Sequence, residues 1–287
     1  MKSRLIFVHA LSPLHAGTGQ GVGVIDLPIA REKATGLPYL PGSSLKGVLR
    51  DACDDRKMRT AVFGPDPDSN VQHAGSAAFS DLRLLLLPVR SVVGTFAWVT
   101  SPYVLLRFIR DIDSVEVSRP PLEVPDPVID RCFVSDDNSA IAENNKVLLE
   151  DLNLSTEAGG CAREWAEWIG RQIFPDEPAW RRMLVQRLCI VSNDILAFFL
   201  DTATEVFSRT RLKEDTKTVT RGGLWYEEAL PAETVLSGIV VASPVEATSN
   251  QVFATLDHLV CKPLQLGGKA GVGRGLCRVM FVGGTQQ

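Results

Sequence analysis

The order of predicted elements at the two ends of the chain constrains its fold more than any other feature. Near the N-terminus, an apolar strand over 4–12 is followed by a segment of helical spacing in LPGSSLKGVLR. Near the C-terminus, TVLSGIVVAS reads as a strand, PVEATSNQVFATLDHLV contains a helix and GLCRVMFVG is another strand. Two strand–helix–strand halves that fold together predict an α+β sheet of ferredoxin-like type with helices on one face.

Local signals place further elements in the first hundred residues. A second extended piece is predicted over 23–30 and a strand over 77–89. After LPG, apolar residues at helical spacing predict a helix that Gly64 closes, with Ser43 or Ser44 as its N-cap. The opposite face of this helix carries basic side chains.

The middle of the chain is less regular. Pro102 after Ser101 predicts the start of a helix, and further helices are predicted over 161–174 and over 178–201 with a break near 192–194. The span 118–145 is rich in proline and aspartate and reads as a loop or insertion. Period-two stretches in 204–228 predict a projecting hairpin with a polar tip.

Composition indicates a soluble, ordered and reduced protein. Apolar residues make up 45% of the 287 residues, enough for a sizeable core, and no apolar run approaches the ~20 residues that a membrane helix needs. The six cysteines are scattered without a C-x-x-C pair and no signal peptide precedes them, a pattern typical of buried thiols in a reducing compartment. We therefore expect a cytoplasmic protein with no membrane partner.

Charge is unevenly distributed along the chain. The net charge of −4 argues against general electrostatic binding to nucleic acid, yet residues 262–287 contain four basic residues and no acid. Residues 209–221 carry five basic residues against Glu214 and Asp215. Such local patches suit a specific polyanion track, although solvated surface charge explains each patch alone equally well.

Three glycine-bearing elements are candidate anion-binding loops: 17–23, 40–47 and 266–275. None has a nucleotide-binding fingerprint, because Gly268-Lys269 is followed by alanine and the other series run G-x-G-x-G. A lone glycine loop is more often a turn, but three of them, two with Lys or Arg, favour binding to a phosphate backbone. The N-terminus of the helix near Ser43, with Lys46 and Arg50 one turn apart, is the best single anion site.

Candidate catalytic side chains are few. The pair Asp111 and Asp113 ends a predicted helix and is expected to lie in solvent, and His15 stands beside a glycine loop. Asp26 interrupts an apolar run, where a carboxylate is costly to bury unless it is paired or needed. An outward-facing strand residue explains Asp26 equally well.

Five segments together resemble the backbone-subunit family of the Cmr-type (type III-B) CRISPR effector complexes, which belongs to the RAMP superfamily. The resemblance covers about residues 4 to 282, and it is carried by HALSPLHAGTGQGVGVIDLPIARE, GLPYLPGSSLKGVLRD, FAWVTSPYVLLR, GGLWYEEALPAET and GGKAGVGRGLCRV. It implies one RAMP domain over 1–287, with an RRM-like palm from about 1–100 and 230–287, helical or fingers insertions over 101–203, and a thumb β-hairpin over 204–228.

The resemblance also implies partners and site residues. Copies of such a subunit stack into a helical filament along a CRISPR guide RNA, pair with a complementary target RNA and join other Cmr-type subunits, including the large polymerase-like and the small helical subunit. Asp26 falls at the position of the family's cleavage aspartate, which is needed for cutting of the target RNA with a divalent metal, Mg²⁺ or Mn²⁺. His15 and Glu227 match positions near that aspartate. The implied RNA-binding residues are Ser43, Ser44, Lys46, Arg50, Lys213, Lys217, Gly268, Lys269 and Arg274.

Elementary chemistry is compatible with this implied activity. RNA carries its own nucleophile, the 2′-OH, so a protein need only orient the chain and stabilise charge. An ordinary aspartate is a weak base at neutral pH, which favours metal positioning over proton abstraction by Asp26. Two alternatives stay open: a non-catalytic RNA-binding scaffold in which Asp26 is structural, and a small-molecule enzyme that uses the glycine loops for a nucleotide cofactor.

Overall fold

The computed structural model describes residues 1–21, 23–66, 68, 73–115, 117, 123–135 and 139–283. In these ranges the strands are β1 (Lys2–Ala10), β2 (Tyr39–Leu40), β3 (Ala77–Phe79), β4 (Leu82–Arg90), β5 (Phe96–Thr100), β6 (Arg131–Val134), β7 (Ala142–Glu143), β8 (Lys146–Leu149), β9 (Leu152–Ala158), β10 (Leu188–Val191), β11 (Glu205–Leu212), β12 (Val219–Ala229), β13 (Val235–Ala242), β14 (Leu264–Gln265) and β15 (Leu276–Val282). The helices are α1 (Gly42–Asp51), α2 (Arg56–Phe63), α3 (Pro102–Asp113), α4 (Gly160–Ile173), α5 (Pro178–Arg187), α6 (Asn193–Thr202) and α7 (Ser249–Leu259).

One mixed sheet runs through the molecule in the order β14-β15-β1-β13-β4-β5-β10-β6-β9-β8-β7. The terminal strand β1 pairs antiparallel with both β13 and β15, which brings the two ends of the chain together. The pairs β5–β10 and β6–β9 are parallel. The strands β11 and β12 form a separate antiparallel hairpin. The predicted α+β architecture and the predicted hairpin are both confirmed.

Helices cover both faces of the sheet at β1, whereas the sequence predicted one covered face. Phe7 packs edge-on against Phe108 of α3, with ring centroids 5.8 Å apart. Arg4 instead lies 4.4 Å over the ring of Phe253 in α7. Because successive strand residues point to opposite faces, α3 and α7 lie on opposite sides of β1. This arrangement explains why the continuous apolar run from Leu5 to Val8 is fully buried.

The predicted elements at the chain ends and several helix starts are confirmed. The strands β1, β13 and β15 and the helix α7 lie where the apolar patterns placed them. Helix α3 begins at Pro102, directly after Ser101. Helix α6 is capped by Ser192, whose hydroxyl accepts a hydrogen bond from the Ile195 amide at 3.3 Å. The proline at the first position of α3 and the Ser192 cap of α6 therefore located these two helix starts.

The break predicted near 192–194 in the helical span 178–201 is confirmed, but the prediction that the helix continues up to that break is wrong. Residues Leu188–Val191 form the strand β10, which lies between β5 and β6 and has all four residues buried. A short apolar run occurs both in buried strands and in buried helices, so its residue pattern alone does not distinguish the two. Strands also lie in the predicted loop 118–145, where β6 and β7 form; residues 118–122 and 136–138 lie outside the described ranges.

The helical segment before Gly64 also differs from the prediction. Helix α1 begins at Gly42, whose amide donates to Asp81 Oδ1 at 3.0 Å, and Pro41 occupies the N-cap position. Ser43 and Ser44 therefore lie inside the first turn rather than at the cap. A break then separates α1 from α2, which Asp55 caps by accepting from two backbone amides. The extended piece predicted over 23–30 forms isolated bridges rather than a strand.

All six cysteines are free thiols, and they differ in accessibility. Burial raises the pKa of Cys277 to about 12, whereas Cys261 is exposed. We expect iodoacetamide to modify Cys261 at mildly alkaline pH roughly a thousandfold faster than the buried thiols, because only the thiolate reacts. Mass spectrometry of the labelled peptides measures this, with Cys261→Ser as the control that removes the fast phase. Fast labelling of the buried set without unfolding contradicts the core described here: Cys53, Cys132, Cys189 and Cys277.

Within the described ranges, no helix combines the length and the apolar composition required to cross a bilayer.

Candidate active site

Three segments distant in sequence meet at the base of the hairpin. Leu27 forms a parallel bridge with Glu227 of β12, and Leu14 forms an antiparallel bridge with Leu230. His15 bridges to Gly268 in the second glycine-rich segment. The loop that contains Asp26 is thereby placed between the hairpin and the loop 266–275. Two of the three predicted anion-binding loops therefore belong to one site.

Asp26 lies at the surface of this site and is exposed. Its Oδ2 accepts a hydrogen bond from the Tyr226 amide at 2.8 Å. Its main-chain carbonyl accepts from the Gly21 amide at 2.8 Å, and the neighbouring Leu27 amide donates to the Tyr226 carbonyl at 3.0 Å. The carboxylate is therefore held by one backbone amide, and the main chain around it is fixed on both sides, while the side chain faces an open cleft rather than a buried pocket.

The cleft has a volume of about 460 Å³ and a mixed chemical lining. Besides Asp26 it presents two cations, Arg211 and Lys269, and one aromatic ring, Trp225. Arg211 and Trp225 carry no motif of their own that marks them individually in the sequence. Their period-two placement on the predicted hairpin, on the same face as Glu227, is the signal that could have found them. The full lining is Gln20, Gly21, Asp26, Leu27, Arg211, Gly222, Leu224, Trp225 and Lys269.

Glu227 is the buried anion next to the cleft. Its Oε1 accepts from Lys269 Nζ and from Trp225 Nε1, each at 2.8 Å. Its Oε2 lies 3.1 Å from Arg274 Nη1 and 3.4 Å from Arg209 Nε. Burial would raise the pKa of Glu227, but the hydrogen bonds from Lys269 and Trp225 and the nearby cations outweigh it and lower the pKa to about 2. Glu227 is therefore charged at neutral pH and fully occupied by protein donors.

Arg274 was predicted to contact RNA, but the structure places it inside the protein. Its side chain is only 4% exposed, and its guanidinium lies 3.7 Å over the Phe207 ring while donating to Glu227. Burial lowers the pKa of Arg274, with Arg209 adding to the effect. Because this buried cation stacks on Phe207 and donates to Glu227, it holds Glu227 and the hairpin together.

His15 is buried beneath the glycine loops. Its Nδ1 lies 2.6 Å from the Glu228 carbonyl oxygen. A Cβ atom on Gly17 would stand 2.4 Å from His15 Nε2, and one on Gly267 would stand 2.5 Å from the His15 carbonyl oxygen. These two glycines are thus required by packing against His15. By contrast, a Cβ on Gly19 or Gly23 would meet nothing within 4 Å, so that part of the loop is open to a ligand.

The predicted anion site at α1 is partly engaged by the protein itself. Arg50 Nη2 lies 2.5 Å from Asp66 Oδ1, and Arg50 also donates to the Gly64 carbonyl. Ser43 is exposed, Ser44 is half-buried, and Lys46 is half-buried with a pKa lowered by burial and by the nearby Arg50 charge. Lys46 therefore stays a candidate phosphate ligand, whereas Arg50 has carboxylate and carbonyl partners.

Other predicted residues lie apart from Asp26. Lys213 and Lys217 are exposed at the turn that joins β11 to β12, at the far end of the hairpin from Glu227. Asp111 was expected in solvent, but it is largely buried and lies 3.7 Å from Arg83 Nη1. Burial raises the pKa of Asp111. The Asp111 and Asp113 pair therefore does not form part of this site.

The donor set near Asp26 limits what metal site the protein can provide. Across the described ranges, no three His, Cys, Asp or Glu side chains are grouped so that they could hold a metal ion. Asp26 is the carboxylate that lines the cleft, because Glu227 is turned toward its cations. One carboxylate oxygen fits a largely hydrated hard cation whose remaining ligands come from outside the protein, and it does not fit a dedicated protein cage.

A projecting hairpin on a mixed sheet, with a cleft of two cations, one aromatic ring and one carboxylate, is chemically suited to a phosphodiester chain. The chain belongs to the RAMP superfamily, whose family model matches residues 7–278. It is 34% identical over 289 residues to the CRISPR system Cmr endoribonuclease Cmr4 of Pyrococcus furiosus, covering 97% of this chain and 95% of the relative.

Solved structures show the same fold. The crystal structure of oligomeric Cmr4 from Pyrococcus furiosus matches with a TM-score of 0.78 at 29% identity, covering 98% of each chain. A chain in the cryo-EM structure of the type III-B Cmr-beta complex bound to cognate target RNA matches with a TM-score of 0.74 at 20% identity, covering 98% of this chain and 97% of that one. The fold extends over nearly the full length of each.

Proposed function

We propose that this chain is the guide-RNA-binding backbone subunit of a type III-B CRISPR ribonucleoprotein and that it cuts complementary target RNA at regular intervals. The observation that carries the proposal is the cleft in which the exposed Asp26 stands beside Arg211 and Lys269. The similarity to a Cmr endoribonuclease over 97% of the chain supports the same activity. Further copies of the chain, guide RNA, target RNA and other Cmr-type subunits, including the large polymerase-like and small helical ones, are the proposed partners.

In the proposed reaction, the protein orients the RNA and the RNA supplies the nucleophile. The 2′-OH gives its proton to water as its oxygen attacks the adjacent phosphorus in line, and the 5′-oxygen of the next nucleotide leaves and takes up a proton from water. Arg211 and Lys269 bind the phosphate oxygens and offset their charge, while Asp26, held by the Tyr226 amide, would bind a divalent cation. When bound there, such a cation, Mg²⁺ or Mn²⁺, would supply positive charge against the negative charge that develops in the reaction.

The proposed division into palm, fingers and thumb follows the same reasoning. The hairpin of 204–228 corresponds to the thumb, with the palm from about 1–100 and 230–287 and the insertions over 101–203. Apolar side chains are exposed on the hairpin strands, where water alone does not favour them: Val206, Leu212, Val219, Leu224 and Tyr226. Exposed apolar groups on a projecting ribbon suit insertion between stacked bases.

A non-catalytic RNA-binding scaffold is the second candidate. Two observations favour the scaffold. The carboxylate of Glu227 is engaged by three protein cations, and Asp26 is the single carboxylate that lines the cleft. The test that separates the two candidates is cleavage. The complex, assembled with guide RNA and its other subunits, is incubated with complementary RNA and Mg²⁺. Regularly spaced fragments support the enzyme, and intact bound RNA supports the scaffold.

Guide binding at α1 makes a separate prediction. Replacing Lys46 with methionine should lower the slope of log affinity against log salt by about 0.7, the contribution of one phosphate contact on single-stranded RNA. Fluorescence anisotropy with labelled guide RNA across a salt series measures the slope. Lys146→Met is the matched control, since Lys146 is an exposed lysine at the start of β8. An unchanged slope for the Lys46 variant removes this residue from the guide path.

A further inference from the structure

Trp225 gives the cleft beside Asp26 an aromatic wall. The residue is half-buried on β12 and lines the cleft together with Arg211 and Lys269. Among the five tryptophans, Trp98, Trp165 and Trp168 belong to the core and Trp180 stacks on Phe174 with centroids 5.5 Å apart. Trp225 is the tryptophan that lines this cleft, so an aromatic contact to a ligand there falls to this residue.

The indole of Trp225 is fixed by the charged cluster behind it. Its Nε1 donates to Glu227 Oε1 at 2.8 Å, and the same oxygen accepts from Lys269 Nζ at 2.8 Å. Glu227 is itself held by Arg274, so the ring is anchored to a buried network rather than free to rotate. An aromatic side chain whose polar end is already bound presents its apolar face at little further entropic cost.

Two cations line the same cleft as this ring. Arg211 is exposed and makes no ion pair with any residue in the described part of the chain. Lys269 shares Glu227 but keeps 31% of its side chain exposed. The cleft of about 460 Å³ therefore combines two kinds of group that suit a nucleotide. The indole suits the flat base, and the guanidinium and ammonium suit the phosphate oxygens.

We infer that this cleft is a subsite for one unpaired nucleotide, whose base stacks on Trp225 while its phosphate lies between Arg211 and Lys269. The identity of the ligand as part of the target RNA rests on the proposed function. Binding of the base here positions the adjacent phosphodiester beside Asp26. Because every base has an aromatic face, the subsite accepts any sequence and selects for an unstacked nucleotide instead.

The test pairs a change in the protein with a change in the RNA. In the assembled complex, Trp225→Leu should slow cleavage by roughly 10- to 100-fold, the range that a lost base stack produces. Trp225→Phe, which keeps a ring but loses the bond to Glu227, should slow it by only about threefold. A target with an abasic nucleotide at the cleaved position should be cut by the unaltered complex as slowly as a normal target is cut by the leucine variant.

The combination of both changes is decisive. If the base stacks on Trp225, the leucine variant should cut the abasic target no more slowly than the normal one, because the stack is already absent. Additive losses, or a phenylalanine variant as slow as the leucine variant, overturn the inference and leave Trp225 as a structural support for Glu227. Tyr103→Leu is the matched control, since Tyr103 is an exposed aromatic residue on α3 outside this cleft.

A binding measurement separates this inference from the proposed cleavage. Adding a short single-stranded uridine oligomer to the purified chain should quench part of its tryptophan fluorescence, and Trp225→Phe should remove that quench. Quenching without any cleavage by the assembled complex sustains the subsite and rejects the catalytic function. If the quench persists in the phenylalanine variant, the base binds elsewhere and the subsite is rejected. The unaltered protein with the abasic target gives an answer even if a variant fails to assemble.

Discussion

Replacement of Asp26 with asparagine should reduce target cleavage by roughly a thousandfold while guide and target RNA still bind. The expected loss follows from removing the charge that, in the proposed reaction, would hold a divalent cation, a contribution of several kcal/mol. Asparagine keeps a side-chain oxygen that can accept the hydrogen bond from the Tyr226 amide, so the loop geometry is retained. Single-turnover cleavage and RNA binding, measured on the same assembled complex, separate chemistry from affinity.

The controls for Asp26 address charge and position. Asp151→Asn removes an exposed aspartate next to β9 and should leave cleavage unchanged. Asp26→Glu keeps the charge but moves it by one methylene, and we expect an intermediate rate. Cleavage by the Asp26→Asn complex at the rate of the unaltered protein would falsify the catalytic role and favour the scaffold function, in which the aspartate only ties the loop to the hairpin.

Substitution of Glu227 with glutamine should lower the free energy of unfolding at pH 7 by roughly 3 kcal/mol. The variant leaves Arg274 buried with an uncompensated charge, because its side chain is 4% exposed and the opposing carboxylate is gone. Urea denaturation of both proteins measures the difference. Glu214→Gln, at the exposed hairpin tip, is the matched control and should change stability by less than about 0.5 kcal/mol.

The same variant predicts a pH dependence with a definite sign. The pKa of Glu227 is lowered from 4.5 to about 2 in the folded protein. The stabilisation by its charge is therefore fully present above pH 4.5 and is lost as the pH falls toward 2. The stability gap between the unaltered protein and the glutamine variant should stay constant from pH 7 to 5 and narrow below 4.5. A gap independent of pH over that lower range shows that the carboxylate charge is not the source of the stabilisation.

Secondary structure was predictable where the local pattern had one interpretation. The strand β1 and the start of α6 at Ser192 follow directly from an apolar run and a capping residue. The strand β10 was missed, because a four-residue apolar segment between two helices carries no periodic signal of its own. Its pairing with β5 and β6, which are distant in sequence, decides its conformation.

The candidate site was predictable only in part. Asp26 was singled out from the residues as an unusual acid and assigned a role through family resemblance, which is a property of the sequence. Arg211 and Trp225 were not singled out, because they come close to Asp26 only when the hairpin packs against the Asp26 loop, which lies about two hundred residues earlier in the chain. Arg274 shows the converse, since a basic residue in a glycine-rich loop reads as exposed but is enclosed by Glu227 and Phe207.

The sequence by itself determined the α+β architecture, the paired strands at the chain ends and the projecting hairpin, because apolar periodicity and turn residues act locally. Only the tertiary structure decided which charges face the solvent and which hold the protein together. The physical reason is that the environment of a charge depends on neighbours brought together across the chain. Glu227 gains its four donors, and Asp26 its open cleft, only once β12 packs beside the two glycine-rich segments.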